Sequence, residues 1–201
     1  MHAWRQKLYV CFLDQSSVAY WSNLRKASWT DGTSITMPIQ ATRGYNRTMM
    51  GCIGAFMNEP PERMQFRFIR MIAPRTNIET VKDFLLHIRD ELPVPPEDAV
   101  ICVDNHSAHK STAVKEFARE LGLRLEYIPK FSCALNPVEH LWQMIKSRWS
   151  KRLACTHRAL PIENIEVYLN EVVEEVAGRL THRIMFGSER AYRAVEQGQL
   201  V

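Results

Sequence analysis

The chain has 201 residues, 46% of them hydrophobic and 24% charged, which is the composition of an ordinary globular domain with its own core. Its apolar runs are too short to span a bilayer and residues 1–7 lack a signal-peptide core, so we expect an intracellular protein without a membrane partner. Five scattered cysteines without a CxxC pair argue against a disulfide framework or zinc cluster, and the net charge of +4 weakly favours a polyanionic partner.

The first third of the chain predicts a meander of β-strands separated by polar turns and loops. The first strand, LYVCFLD, is a short apolar segment that ends on Asp14, and a polar turn at 15–17 separates it from the next strand. Two glycines in MGCIGAFM suggest a bulge or a close backbone approach. The predicted strands are 8–14, 18–24, 50–57 and 65–72, with a loop at 25–47 and a turn at 58–63.

From residue 77 onward the pattern changes to alternating helices and strands. Asn77 is a suitable N-cap for the first helix, and AVICV is a continuous apolar run typical of a strand buried on both faces. The predicted helices are 77–92, 111–121, 136–153 and 162–179, with strands at 99–103 and 124–128 and a helical tail from 181. A meander followed by alternating strands and helices predicts an α/β protein with a mixed sheet flanked by helices.

Three carboxylates stand where functional groups often lie. Asp14 and Asp104 end predicted strands, and Glu139 lies in the first turn of a predicted helix that begins Asn-Pro-Val-Glu. Each also has an ordinary interpretation, because aspartates suit turns and the pair of Asn136 and Glu139 resembles a capping box. Together they predict more, since carboxylates at the ends of neighbouring strands can meet at one edge of a sheet.

Three carboxylates in one place repel one another unless a cation lies between them. Oxygen ligands alone favour Mg²⁺ or Mn²⁺, and two such ions roughly 3.5–4 Å apart would activate an attacking oxygen and stabilise a leaving oxygen at a phosphodiester. On this reasoning Asp104→Asn should leave the metal-free protein at least as stable as before, because it removes one of three like charges.

The same segments resemble the signatures of the DDE transposase and integrase superfamily, most closely its mariner-like branch and the related bacterial insertion-sequence transposases. FLDQ resembles the first aspartate motif, VDNHSAHKS the second, and PKFSCALNPVEHLWQMIK the third and most specific. The 34 residues between Asp104 and Glu139 are a spacing typical of this branch. The resemblance covers roughly residues 8–151 and implies an RNase H-like fold with a mixed five-stranded sheet, the aspartates on the first and fourth strands and the glutamate on the helix after the fifth.

That resemblance implies a transposase catalytic domain that cleaves DNA phosphodiesters and transfers strands. Asp14, Asp104 and Glu139 would be its catalytic residues and would hold Mg²⁺ or Mn²⁺, in a pair of ions. Transposon ends and target DNA would be its partners, and a homodimer or higher assembly on DNA its working form. Two alternatives stay open: a catalytically silent transposase-derived protein that binds DNA or supports assembly, and an RNase H-like nuclease acting on structured nucleic acid.

The chain also departs from the family pattern. Only 13 residues precede Asp14, where the family usually has helix-turn-helix modules, so we expect target recognition to be lost, truncated or supplied by a separate chain. Gln15 and Cys133 stand where a second acid and a proline are common. We expect a catalytic domain over residues 1–155 and a C-terminal helical extension over 156–201.

Basic residues beside the motifs are the candidates for DNA contact. His109 matches the histidine of the second motif and is expected near the scissile phosphate, whereas a zinc site at His106 and His109 has no further ligand at useful spacing. The basic segment KSRWSKR is either a solvated helix end or a surface for the DNA backbone, and we favour the second. The expected DNA contacts are His109, Lys110, Lys146, Arg148, Lys151 and Arg152.

Overall fold

A computed structural model of the chain describes residues 9–19, 46–57, 59, 65–129, 136–155 and 164–180. The strands are β1 Tyr9–Ala19, β2 Asn46–Phe56, β3 Arg67–Ala73, β4 Ala99–Val103 and β5 Arg124–Tyr127. The helices in these ranges are α1 Ile78–Glu91, α2 Thr112–Glu120, α3 Val138–Cys155 and α4 Ile165–Ala177, with a short 3-10 turn at Pro96–Asp98. Within the described ranges, no helix is long and apolar enough to cross a membrane.

The five strands form one mixed sheet in the order β3-β2-β1-β4-β5. β1, β2 and β3 are an antiparallel meander, whereas β4 and β5 run parallel to β1. The crossovers into β4 and β5 pass through α1 and α2, as parallel pairing requires. The predicted α/β class, with a mixed five-stranded sheet between helices, is confirmed.

Helices cover both faces of the sheet, and the residues of β1 alternate between them. Cys11 and Leu13 join the core beneath α1 and α2, while Phe12 and Val18 face the core beneath α3 and α4. Burying each large apolar side chain contributes on the order of 1.5–3 kcal/mol. The α3 and α4 side chains of the second core are Val138, Leu141, Trp142, Ile145, Trp149, Leu169, Val172, Val173 and Val176.

The helix ends follow the capping residues in the sequence. The Asn77 side chain accepts the Thr80 backbone N–H at 2.8 Å at the start of α1. Ser111 does the same for Val114 at 3.3 Å in α2. Gly122, with φ of +73°, follows α2 in the left-handed conformation that glycine adopts at low cost.

The first strand is longer than predicted. The polar residues 15–17 continue β1 and pair with residues 48–50 of β2, so the predicted turn there is wrong. Val18 is a buried residue of β1 rather than part of a second strand, and residues 20–24 lie outside the described ranges. The ladder with β2 supplies hydrogen-bond partners to the backbone groups of this segment that face β2, so a polar stretch need not be a turn. Asp14 therefore lies inside β1 and not at its end.

The second strand begins earlier than predicted, at Asn46 instead of residue 50. Its register with β1 runs without interruption through Asp14↔Gly51 and Cys11↔Gly54, so the two glycines mark close approaches and not a bulge. Most of the predicted loop at 25–47 and turn at 58–63, and all of the helical tail from 181, lie outside the described ranges.

Candidate active site

Asp14 is a buried carboxylate on the sheet face that α3 covers, with 5% of its surface exposed. Its Oδ2 atom accepts a hydrogen bond from the indole Nε1 of Trp142 at 3.1 Å. Burial raises the pKa of Asp14 to about 6; the backbone N–H of Gln15 opposes this rise, and the charges of Glu139 and Asp104 add to it. Among the described residues, the ionised form of Asp14 therefore has no compensating positive charge.

Asp104 directly follows β4 and lies beside Asp14 in the sheet. Because Leu13 pairs with Val103, the two aspartates hold the next positions along neighbouring parallel strands. The Asp104 side chain is 41% exposed. Its Oδ1 atom accepts the His106 backbone N–H at 3.0 Å and lies 2.6 Å from His109 Nδ1. Partial burial would raise the pKa of Asp104, but the hydrogen bonds from His109 and His106 together lower it below its usual value.

Glu139 is the second residue of α3 and is half-buried. Asn136, just before this helix, accepts the Val138 N–H at 3.2 Å through Oδ1 and donates from Nδ2 to the Leu13 carbonyl at 3.5 Å. The start of α3 is thus tied to β1 at the residue before Asp14. The Glu139 charge acts on the Asp14 pKa, so the two carboxylates lie within electrostatic reach of each other.

These three carboxylates are the donor type that a hard divalent cation prefers. In the arrangement shown, no three histidine, cysteine, aspartate or glutamate side chains of the described ranges lie close enough together to hold a metal ion. One oxygen of Asp14 and one of Asp104 are already hydrogen-bonded, to Trp142 and to His109. The donor chemistry therefore fits such a cation, and the carboxylates would have to approach one another to share it.

His109 does not lie on a surface that DNA could reach. Its side chain is buried, Nδ1 contacts Asp104, and Nε2 has no hydrogen-bond partner in the described part of the chain. Tyr127 fixes its backbone by donating a hydrogen bond to the His109 carbonyl at 2.8 Å. The interpretation of His109 as a direct DNA contact is therefore not what the structure shows, and its contact is with Asp104 instead. Lys110 is exposed, with Nζ 5.9 Å from the centre of the Tyr127 ring.

The basic end of α3 is partly neutralised by α4. Arg148 donates two hydrogen bonds to Glu175, at 2.9 and 2.5 Å. Arg152 forms an ion pair with Glu171. These pairs reduce the positive charge that the basic segment offers to DNA, and the DNA contact predicted for this end stays a prediction. No local pattern could reveal them, because they join residues 27 and 19 positions apart on different helices.

Two side chains next to the carboxylates have contacts that the sequence did not predict. Trp142 was assigned to the core by its helical spacing alone, yet its indole N–H contacts a residue 128 positions away. The contact of His109 with Asp104 could have been predicted from the sequence, because the two residues are five positions apart across a single tight turn.

Gly51→Ala is expected to lower the free energy of unfolding by about 1–3 kcal/mol, as overpacking a filled core does. A Cβ atom at Gly51 would lie 2.6 Å from the Trp142 ring and 2.8 Å from the Phe68 ring. Urea denaturation would measure this, with Gly178→Ala as a control because its Cβ would meet nothing nearer than 3.5 Å. An unchanged midpoint for Gly51→Ala would contradict the close packing of the indole on β2.

The sheet order is that of the RNase H-like class that the sequence resemblance implied. A family model described as DDE superfamily endonuclease matches residues 9–160, and the chain belongs to this family. The predicted family and fold are thereby confirmed. No curated protein sequence matches the chain.

Several solved structures share this fold at low sequence identity. A chain of the simian T-cell lymphotropic virus intasome, in complex with PP2A regulatory subunit B56 gamma, has a TM-score of 0.57 and 13% identity over 92% of this chain and 56% of its own length. The Mos1 mariner paired end complex with Mn has a TM-score of 0.55 and 18% identity over 94% and 55%. The HTLV-2 integrase catalytic core domain in complex with magnesium has a TM-score of 0.50 and 14% identity over 91% and 98%. The chain spans about half the length of the intasome and Mos1 chains.

Proposed function

We propose that this chain is the catalytic domain of a DNA transposase, which cleaves DNA phosphodiesters and joins DNA strands. The observation that carries the proposal is the register of β1 and β4, which supports one site for Asp14 and Asp104, with Glu139 in electrostatic reach. Family membership supports endonuclease chemistry. DNA as the substrate is supported by similar structures that are described as a transposon-end complex and a strand transfer complex.

In this proposal Asp14, Asp104 and Glu139 hold Mg²⁺ or Mn²⁺, in a pair of ions. The similar structures described with Mn and with magnesium support this choice of metal. Cations held there would supply positive charge that stabilises the transition state of phosphodiester cleavage. In the first step the oxygen of water bonds to phosphorus as the P–O3′ bond breaks, which leaves a 5′-phosphate and a 3′-hydroxyl. In the second step that 3′-hydroxyl bonds to a phosphorus of the target DNA as the target P–O3′ bond breaks, and the released target O3′ takes up a proton. His109 holds the Asp104 carboxylate in place for both steps.

We further propose a homodimer or higher assembly on DNA, which the description of one similar structure as an intasome supports. The protein would act on DNA within the cell. The proposed catalytic domain is 1–155 and the proposed extension 156–201, whose helix α4 packs on α3.

Nicking of supercoiled plasmid tests the proposed function. The chain should convert plasmid to the nicked form with Mg²⁺ or Mn²⁺ and should be inactive with EDTA. The catalytically silent alternative predicts DNA binding without nicking under every condition. A branched DNA and an RNA–DNA hybrid in the same assay separate transposase chemistry from a nuclease that prefers structured nucleic acid.

The lysines at the end of α3 are expected to contribute more to DNA binding than the arginines beside them. Lys146→Gln with Lys151→Gln should weaken binding and flatten its salt dependence by about one ion per lysine. Arg148→Gln with Arg152→Gln should change both less, because Glu175 and Glu171 already pair with these arginines. Fluorescence anisotropy between about 50 and 200 mM salt measures both effects. Equal losses from the two double variants would show that the ion pairs with α4 do not persist on DNA.

A further inference from the structure

We propose that Trp142 is a positioning residue for Asp14. Its indole N–H holds one carboxylate oxygen and thereby fixes the side chain so that the other oxygen is left for a cation. This inference rests on the proposed function, in which Asp14 is a cation ligand. In this role Trp142 contacts neither cation nor DNA, but it determines where a ligand oxygen of Asp14 lies.

The hydrogen bond between Trp142 and Asp14 is strong because both side chains are buried. Trp142 is 2% exposed and Asp14 5%, and 3.1 Å separates Nε1 from Oδ2. A hydrogen bond to an ionised carboxylate away from water is stronger than one between neutral groups. The indole has one donor and no acceptor, so it engages one oxygen of Asp14 and does not itself occupy the second.

The indole is itself held in one orientation by the strand next to Asp14. Gly51 is the register partner of Asp14 on β2, and any Cβ there would overlap the Trp142 ring. Phe68 on β3 packs edge-on against the same ring, with centroids 6.2 Å apart at 72°. The sheet therefore has a space beside Asp14 that the indole fills. A ring fixed in this way can impose a direction on the carboxylate that accepts its hydrogen bond.

The position of Trp142 on α3 links it to a second carboxylate. Glu139 lies three residues earlier, and residues at this spacing share one side of a helix. Asn136, which precedes the helix, bonds to the Leu13 carbonyl. One helix start thus carries Glu139 and also the group that orients Asp14, so the relative position of the two carboxylates depends on the packing of α3 against β1.

A second tryptophan on the same helix provides a matched control. Trp149 is fully buried in the same core cluster, but its Nε1 has no hydrogen-bond partner in the described part of the chain. Replacing either tryptophan by phenylalanine removes the same atoms from the same helix. Only the change at Trp142 also removes a hydrogen bond to a carboxylate.

The test compares Trp142→Phe with Trp149→Phe for Mn²⁺ affinity by calorimetry, alongside unfolding of the metal-free proteins. Trp142→Phe should weaken Mn²⁺ binding by about 10–100-fold, the usual cost of removing a group that orients a metal ligand. Trp149→Phe should leave the affinity within about twofold of the wild type. If Trp142→Phe fails to fold, benzothienylalanine at position 142 replaces the indole N–H with sulfur at nearly constant shape. Mn²⁺ affinity equal to the wild type in the Trp142 variant that folds would overturn the inference.

Indole NMR resonances keep the inference separate from the proposed function. With ¹⁵N-labelled tryptophan, Asp14→Asn should shift the Trp142 indole signal and leave the Trp149 signal in place, whether or not metal is present. A wild-type protein could show this shift and yet neither bind Mn²⁺ nor nick DNA. That result would contradict the proposed function. It would also leave the contact a purely structural one and so overturn the positioning role. An unmoved Trp142 signal would show that the contact itself does not form.

Discussion

Asp104→Asn is expected to reduce plasmid nicking by at least about a thousandfold while DNA binding persists. The substitution keeps the volume of the side chain but removes the charge that a divalent cation requires. A thousandfold loss corresponds to about 4 kcal/mol of transition-state stabilisation. Gel-based nicking with Mn²⁺ measures the rate, and anisotropy on the same DNA measures binding.

Asp98→Asn is the matched control for this substitution. Asp98 is an exposed residue immediately before β4, whereas Asp104 immediately follows the same strand. The same chemical change at the other end of β4 should leave nicking unaltered. Nicking by Asp104→Asn at the wild-type rate would remove Asp104 from the catalytic site and, with it, the assignment of the three carboxylates.

Asp14→Asn is expected to stabilise the metal-free protein by up to about 3 kcal/mol at pH 8. Burial raises the pKa of Asp14 from 3.8 to about 6, so the folded protein binds this proton more tightly than the unfolded chain does. The stability that the protonated group contributes is fully present below pH 3.8 and is lost as the pH rises through about 6. Asparagine carries no charge at any pH, so the difference between variant and wild type should vanish below about pH 4.

Urea denaturation with EDTA across this pH range measures the difference. Asp104→Asn should change the free energy of unfolding in the opposite direction. The reason is that the hydrogen bonds from His109 and His106 hold the pKa of Asp104 below its usual value despite partial burial. Its ionised form contributes stability above the usual pKa, and that contribution is lost as the pH falls through the lowered pKa. Asp104→Asn should therefore destabilise the protein at neutral pH. A pH-independent difference for Asp14→Asn would show that burial does not raise its pKa.

The expected destabilisation by Asp104→Asn is the opposite of the effect predicted from the sequence alone. Three carboxylates in one site predicted that neutralising Asp104 would not harm the metal-free protein. The structure assigns the unfavourable charge to Asp14, which is buried beside Trp142, and gives Asp104 a histidine partner. The sequence identified the candidate carboxylates but not which of them has a compensating neighbour, because both neighbours come from the folded arrangement.

Patterns that repeat along the chain were predicted well. The order of strands and helices after residue 77 and the cap at Asn77 follow from local chemistry. Residues 15–17 were misassigned because polar side chains suit a turn as well as a strand in a ladder. The ion pairs between α3 and α4 depend on how two helices pack, which no spacing within either helix records.

The unequal lengths of β1 and β4 have a consequence for the site. The parallel ladder ends at Leu13↔Val103, whereas β1 continues to Ala19 against β2 alone. Within the described ranges, β1 from Asp14 onward is paired with β2 alone. The Asp14 carboxylate is held by a hydrogen bond from Trp142 of α3. Sheet integrity and carboxylate alignment are thus set by different interactions. A displacement of α3 would therefore change the spacing between Asp14 and Glu139 without breaking a strand pair.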